Sequence, residues 1–145
     1  MKRFIRILLL FGFVLGVASC DKLPENGDLD GNWQLLTIEH HATGQVEQVK
    51  DQQVFWAVQL KMIYYRGGGL GKEYLSRFVH QSDSLFLYDF YYHTRYEDYL
   101  LTDSATTELS PAGIVGISGR YAVETLNHKS MVLNSADTRL VFRKF

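Results

Sequence analysis

The chain has a single cysteine and only two prolines in 145 residues. One thiol excludes an intramolecular disulfide, so the fold must be held by its core. The sequence has no basic cluster, and 16 acidic residues offset 15 basic ones, which argues against DNA or RNA as a ligand. Metal-ligand spacing is missing too. The five histidines, at 40, 41, 80, 93 and 128, form no HxH or HExxH pattern. The hydrolase signature GxSxG is absent, since Gly116-Ile117-Ser118-Gly119 lacks its first spacing. Glu97 and Asp98 are adjacent, and on a strand they would face opposite sides. The reading is therefore no enzyme, no catalytic residue, no metal site and no cofactor.

The chain also lacks an apolar run long enough to span a bilayer, which takes about 20 residues. What it has instead is a shorter run with a positive start. Lys2, Arg3 and Arg6 precede the uncharged segment 7–18, and small residues then lead to Cys20. That order is an export signal over residues 1–19. Val17-Ala18-Ser19-Cys20 resembles the bacterial lipobox. The resemblance implies diacylglyceryl transfer to the Cys20 thiol, cleavage between Ser19 and Cys20, and acylation of the new amino terminus. Several acyl chains on one residue anchor stably where a single chain does not. Membrane lipid is thus an expected partner through Cys20, and the expected location is the cell envelope, at the outer membrane.

Cleavage would remove three of the fifteen basic residues and none of the sixteen acidic ones, leaving a net charge of −4. Residues 20–30, with Pro24 and Gly27, read as the lipidated terminus and a short tether. Residues 31–145 read as one domain. Its dominant period is two. Residues 54–65 read as one strand with Val54, Trp56, Val58, Leu60, Met62 and Tyr64 on one face. Glu73–Gln81 and Leu85–Tyr92 alternate likewise, with Tyr96–Leu101 as a return strand. Arg120–Leu126, Met131–Leu133 and Arg139–Phe145 follow, separated by Asn and Asp turns. Thr102–Ser118 shows the least regularity, with room for a short helix near Thr106–Leu109. Seven or eight short strands make an all-β meander. An antiparallel barrel of about eight strands removes the open edges, and an open β-sandwich is the alternative.

Arg66-Gly67-Gly68-Gly69-Leu70-Gly71-Lys72 invites a phosphate-loop reading, which fails at both ends. Arg66 stands where a glycine is needed and Glu73 where Ser or Thr is needed. A hairpin or lid loop is the expected role.

Gly31-Asn32-Trp33 resembles the GxW motif of lipocalins, and with the leader and meander it resembles small lipocalin-like lipoproteins of Bacteroidales. The resemblance implies that Gly31 and Trp33 pack the closed end of the barrel, with Arg139 or Arg143 lying over the Trp. No TDY motif occurs, because Thr102-Asp103 is followed by Ser104. Aromatic residues concentrate between positions 55 and 99. As a pocket lining they would suit an apolar or aromatic molecule. Trp56, Tyr64, Phe78, Phe86 and Tyr88 are the candidate lining residues.

Two functions follow as expectations. The first is a membrane-anchored, non-catalytic binding lipoprotein for a small apolar or aromatic ligand. The second is a structural or accessory lipoprotein that binds another envelope protein through outward Phe55, Ile63 and Tyr65. Both require the anchor. Cys20→Ser should abolish fatty-acid labelling and membrane retention while export and folding continue. Wild-type labelling and membrane retention of the variant, measured with a fatty-acid analogue, would refute the lipoprotein reading.

Overall fold

The computed structural model describes residues 24–145. The leader, Ser19 and Cys20 lie outside the described residues. Ten strands follow in order: β1 (Gly31–His40), β2 (Gln45–Gln48), β3 (Phe55–Gln59), β4 (Met62–Arg66), β5 (Glu73–Gln81), β6 (Ser84–His93), β7 (Asp98–Leu100), β8 (Gly119–Leu126), β9 (Ser130–Asn134) and β10 (Thr138–Lys144). Every pairing is antiparallel. The ladder runs β1-β3-β4-β5-β6-β8-β9-β10, and β10 returns to pair with β1. Eight strands therefore close an up-and-down barrel, while β2 and β7 are short flanking strands on β1 and β6. The register from Trp33↔Lys144 to His40↔Thr138 is the closure that excludes the open sandwich.

The segment read as one strand over 54–65 is a hairpin. Leu60 takes φ +55° and, with Lys61, turns the chain between the paired Gln59 and Met62. A two-residue turn reverses the inward parity. Trp56 and Val58 face in on β3, whereas Ile63 and Tyr65 face in on β4. A second reversal lies in β6. Leu75 pairs with Tyr91 and Arg77 with Tyr88, so β6 carries one extra residue there, and Asp89 sits at φ +50°. Such a bulge shifts the alternation by one. Leu85 and Leu87 face in before it, and Phe90 after it. Similar bulges interrupt β1 after Leu35 and β8 after Val123.

The interior is built on Trp56, which is fully buried. Its ring meets Phe142 at 4.9 Å, Tyr65 at 5.1 Å and Tyr121 at 6.3 Å, all edge to face. Tyr65 stacks on Phe90 at 5.8 Å, and its hydroxyl shares a 2.7 Å hydrogen bond with Ser76 Oγ. Aromatic edge-to-face pairs add directional attraction to the area they bury.

The glycine run joins β4 to β5, and its shape follows from a close crossing. A Cβ on Gly67 would lie 2.3 Å from the Gln53 carbonyl oxygen, and one on Gly69 would lie 2.9 Å from the Gln52 side chain. The glycines let this loop lie against the connection between β2 and β3, which includes a single 3-10 turn at Lys50–Gln52.

The buried tyrosines give the fold an alkaline limit. Burial pushes the Tyr65 and Tyr121 hydroxyls well above their ordinary value of 10.0. Tyr74 is raised by burial and by the adjacent Glu108 carboxylate. A raised tyrosine pKa means that the unfolded chain ionises first. The stability they contribute is whole below pH 10.0 and is lost as pH climbs above that value toward the folded-state pKa. The phenolate absorbance of the buried tyrosines should therefore appear together with the loss of circular dichroism in one cooperative step above pH 10.0, after exposed tyrosines such as Tyr96 have ionised. Smooth ionisation of every tyrosine with the β signal intact would contradict this.

Candidate functional site

One end of the barrel is shut by the segment that precedes β1. A 3-10 turn at Gly27–Leu29 drives Leu29 into the core, and its carbonyl accepts a 2.8 Å hydrogen bond from Trp33 Nε1. The cation over the Trp33 ring is neither candidate arginine. Lys144 Nζ stands 4.8 Å from the ring centroid and donates to the Asp28 carbonyl at 2.9 Å. Arg139 instead pairs with Glu124 at 2.8 Å, and Arg143 donates to Gln34 at 2.7 Å. Alternation explains the correction. Trp33 registers with Lys144, the last residue of β10, and Arg143 points to the outside. Gly31 is accounted for by its φ of +129°, which side chains disfavour, and the Lys144 stem lies against it, 2.6 Å from where a Cβ would stand.

The opposite end carries an unexpected closure. Thr102–Ser118, the least regular stretch of the sequence, crosses the mouth between β7 and β8. It contains no helix at Thr106–Leu109 but a 3-10 turn at Ser110–Ala112. Leu109, Ala112 and Ile114 are all at 0% exposure. Trp56 Nε1 donates to the Ala112 carbonyl at 3.2 Å, and Thr138 Oγ1 donates to the Gly113 carbonyl at 3.0 Å. At the rim, Tyr74 donates to Glu108 at 2.6 Å and Lys72 stands 3.9 Å from the same carboxylate. The segment is a plug. Beneath it, Trp33, Trp56, Tyr65, Leu85, Leu87, Phe90, Leu133 and Leu140 are also at 0% exposure. These side chains pack together along the axis.

Of the five candidate lining residues, Trp56 and Phe78 sit in this filled interior. Tyr64, Phe86 and Tyr88 do not. They lie on the outer wall, Tyr64 because of the turn at Leu60 and Lys61, the other two because the phase shift at Asp89 comes after them. Phe86 and Tyr88 stack on each other at 5.6 Å, with the Arg120 guanidinium 5.2 Å from the Phe86 ring. The outward trio Phe55, Ile63 and Tyr65 is corrected in the same way, since Ile63 and Tyr65 are core residues at 0% exposure.

The outer wall gains what the interior loses. Ala57, Tyr64, Leu75 and Tyr91 form one cross-strand row, and Gln59, Met62, Arg77 and Tyr88 the next. Between them lies a groove of about 320 Å³ lined by Ala57, Gln59, Leu60, Met62, Tyr64 and Leu75, almost wholly apolar. Leu60 is 63% exposed and Met62 38%. Burial and the hydrogen-bonded Glu73 carboxylate raise the Tyr64 pKa to about 12. Sequence alternation taken through the turn without a break conceals this face.

Among the described residues no group of three or more His, Cys, Asp or Glu could hold a metal ion. No helix among them is long and apolar enough to cross a membrane.

The lipocalin-like domain family matches residues 13–145. A lipocalin-like protein from Bacteroides uniformis superposes with a TM-score of 0.58 at 22% identity, over 82% of this chain and 100% of that one. A protein from Bacteroides eggerthii gives 0.50 at 21% identity, over 80% of this chain and 98% of its own. A protein from Burkholderia xenovorans gives 0.52 at 13%, over 80% and 82%. These structural likenesses carry the fold. No protein with a curated description matches the chain.

The plug is testable at Gly113, which holds φ +79° and where a Cβ would lie 2.4 Å from Leu140 Cδ2. Leu140 is fully buried and has no room to yield. Gly113→Ala should cost about 1–3 kcal/mol of unfolding free energy. Amide exchange across 109–114 should quicken more than in the strands. Unchanged stability and exchange would mean that the segment is not locked into the mouth.

Proposed function

We propose a function for a chain that belongs to the lipocalin-like domain family: it is a lipid-anchored, non-catalytic binding protein of the cell envelope, held by acylated Cys20, that recognises an apolar or aromatic group on its outer wall. The lipocalin-like barrel is a ligand-binding type of fold and generally not a catalytic one. One observation carries the choice of surface. The axis is filled by side chains at 0% exposure, while the groove at Ala57, Met62, Tyr64 and Leu75 is open and apolar. At about 320 Å³ it reaches the lower bound of small-molecule sites, which run from about 300 Å³. Tyr64 and Gln59 supply the polar groups that would orient a ligand. The family match begins at residue 13, inside the leader, which supports treating the segment around Cys20 as part of what the family shares.

A second reading, an envelope protein held on the outer surface, is favoured by the edge strand β7. Among the described residues it pairs with β6 alone, and it exposes Tyr99 and Leu100 at 51% each. Unpaired edges are common docking sites for a further strand.

Native mass spectrometry of the mature protein purified from its own envelope tests both readings. The first expects a non-covalent apolar adduct that Leu75→Lys removes while the circular dichroism stays unchanged. An adduct retained in full by Leu75→Lys would place binding elsewhere. A stoichiometric protein partner lost on substitution of Leu100 would favour the second reading.

A further inference from the structure

We infer that the groove and the Leu60–Met62 turn face the membrane that holds the anchor, and that the apolar group they take is lipid at the bilayer interface. This inference rests on the anchored-binding reading and names the ligand of the same site. The first argument is where the chain leaves the barrel. The Asn26 side-chain amide donates to the Leu60 carbonyl at 2.6 Å and to Asp30 Oδ1 at 2.6 Å, and the Gly27 amide donates to the Pro24 carbonyl at 3.3 Å. The incoming chain is thus fastened to the β3–β4 turn itself. Pro24 lies four chain steps from Cys20, and at about 3.3–3.6 Å each they reach at most about 14 Å. An acylated Cys20 cannot hold the domain farther from the lipid surface than that leash allows.

The second argument is what the turn presents there. Leu60 and Met62 are exposed at its tip with Lys61 between them. Phe145 is 74% exposed and stacks edge-on against Phe55 on the same outer wall, at 5.2 Å. Lys61 and Arg77 flank the apolar groups with long stems that keep their charges in water while the stems lie along lipid. The opposite end exposes apolar groups as well, Val115 at 56% and Tyr99 and Leu100 at 51% each, but the leash at Asn26 does not lead there. A mature net charge of −4 makes general attraction to anionic lipid a poor driving force. The leash supplies the alternative. Tethering makes docking intramolecular, so a shallow apolar contact too weak to recruit a free domain suffices for a tethered one.

The test uses the acylated full-length product in vesicles of phosphatidylethanolamine and phosphatidylglycerol. Acylation occupies the thiol of Cys20, the sole native cysteine, so Leu60→Cys and Val115→Cys each introduce one free thiol for an environment-sensitive fluorophore. Val115 is 56% exposed at the far end of the barrel. Nitroxide-bearing lipid should quench the label at 60 several-fold more strongly than the label at 115, and adding Met62→Glu should remove most of that difference. Equal quenching at both positions would overturn the inference, as would a co-purified protein that shields position 60 from the nitroxide. Intact mass of the same sample separates the two levels of the reading: protein without the acyl mass refutes the anchor and with it the leash, whereas acylated protein with equal quenching at 60 and 115 overturns the membrane-facing surface and leaves the anchor standing.

Discussion

The seam between β1 and β10 decides everything else in this molecule. Until those strands pair, the meander is a twisted sheet with two open edges, and either face is available to water. Once Trp33 registers with Lys144 and His40 with Thr138, each side chain in the eight-stranded ladder is committed to the axis or to the wall. The Lys144 ammonium lies over Trp33 because the seam puts it there, and Gly31, at φ +129°, gives the chain its path into β1 beneath the lysine stem. Closure, the cation over the indole and the glycine before it are one constraint expressed at three positions.

A closed barrel of eight strands has an interior just wide enough for packed side chains or one small ligand. This chain takes the first option. Trp56, Tyr65, Phe90, Tyr121 and Phe142 occupy the axis, and the plug brings Leu109, Ala112 and Ile114 down upon them. The plug accepts from the Trp56 indole and the Thr138 hydroxyl, two donors that lose these hydrogen bonds if it leaves. Leaving such donors unpaired costs about 1–3 kcal/mol each. Displacing the plug therefore exposes apolar surface and frees two donors at once, which disfavours an interior site unless a ligand replaces both hydrogen bonds.

The strand content and closure were legible because they follow from period-two alternation, Asn and Asp turns, and the GxW start. Glu73–Gln81 is a strand with the ends expected from its alternation. The lining was less legible, for a physical reason. Alternation gives the parity of side chains only within an unbroken strand, and one extra residue inverts it. Leu60 in the left-handed region and Asp89 at its bulge are each such a break, and neither is the Gly or Asn that would announce one. Tyr64, Phe86 and Tyr88 went to the wrong face on that account. The lysine over Trp33 was hidden by the same one-residue parity. The plug left no periodic trace at all, since its three buried apolar groups belong to an irregular chain path.

The inversion also changes what the aromatic richness means. Were Tyr64, Phe86 and Tyr88 added to an axis already holding Trp56, Tyr65, Tyr121 and Phe142, the barrel would be overpacked. On the wall they make a surface that water solvates poorly. Arg120 over Phe86 and Arg66 near Phe55 cover part of it with charged groups that stay hydrated. Around Leu60 and Met62 the flanking cations are Lys61 and Arg77, and Leu60 stays 63% exposed beside them. The turn that fastens Asn26 therefore keeps open apolar area on the outer wall. It lies where a short leash would bring lipid within reach, so the filled interior and the bare turn are two consequences of the same assignment of side chains to faces.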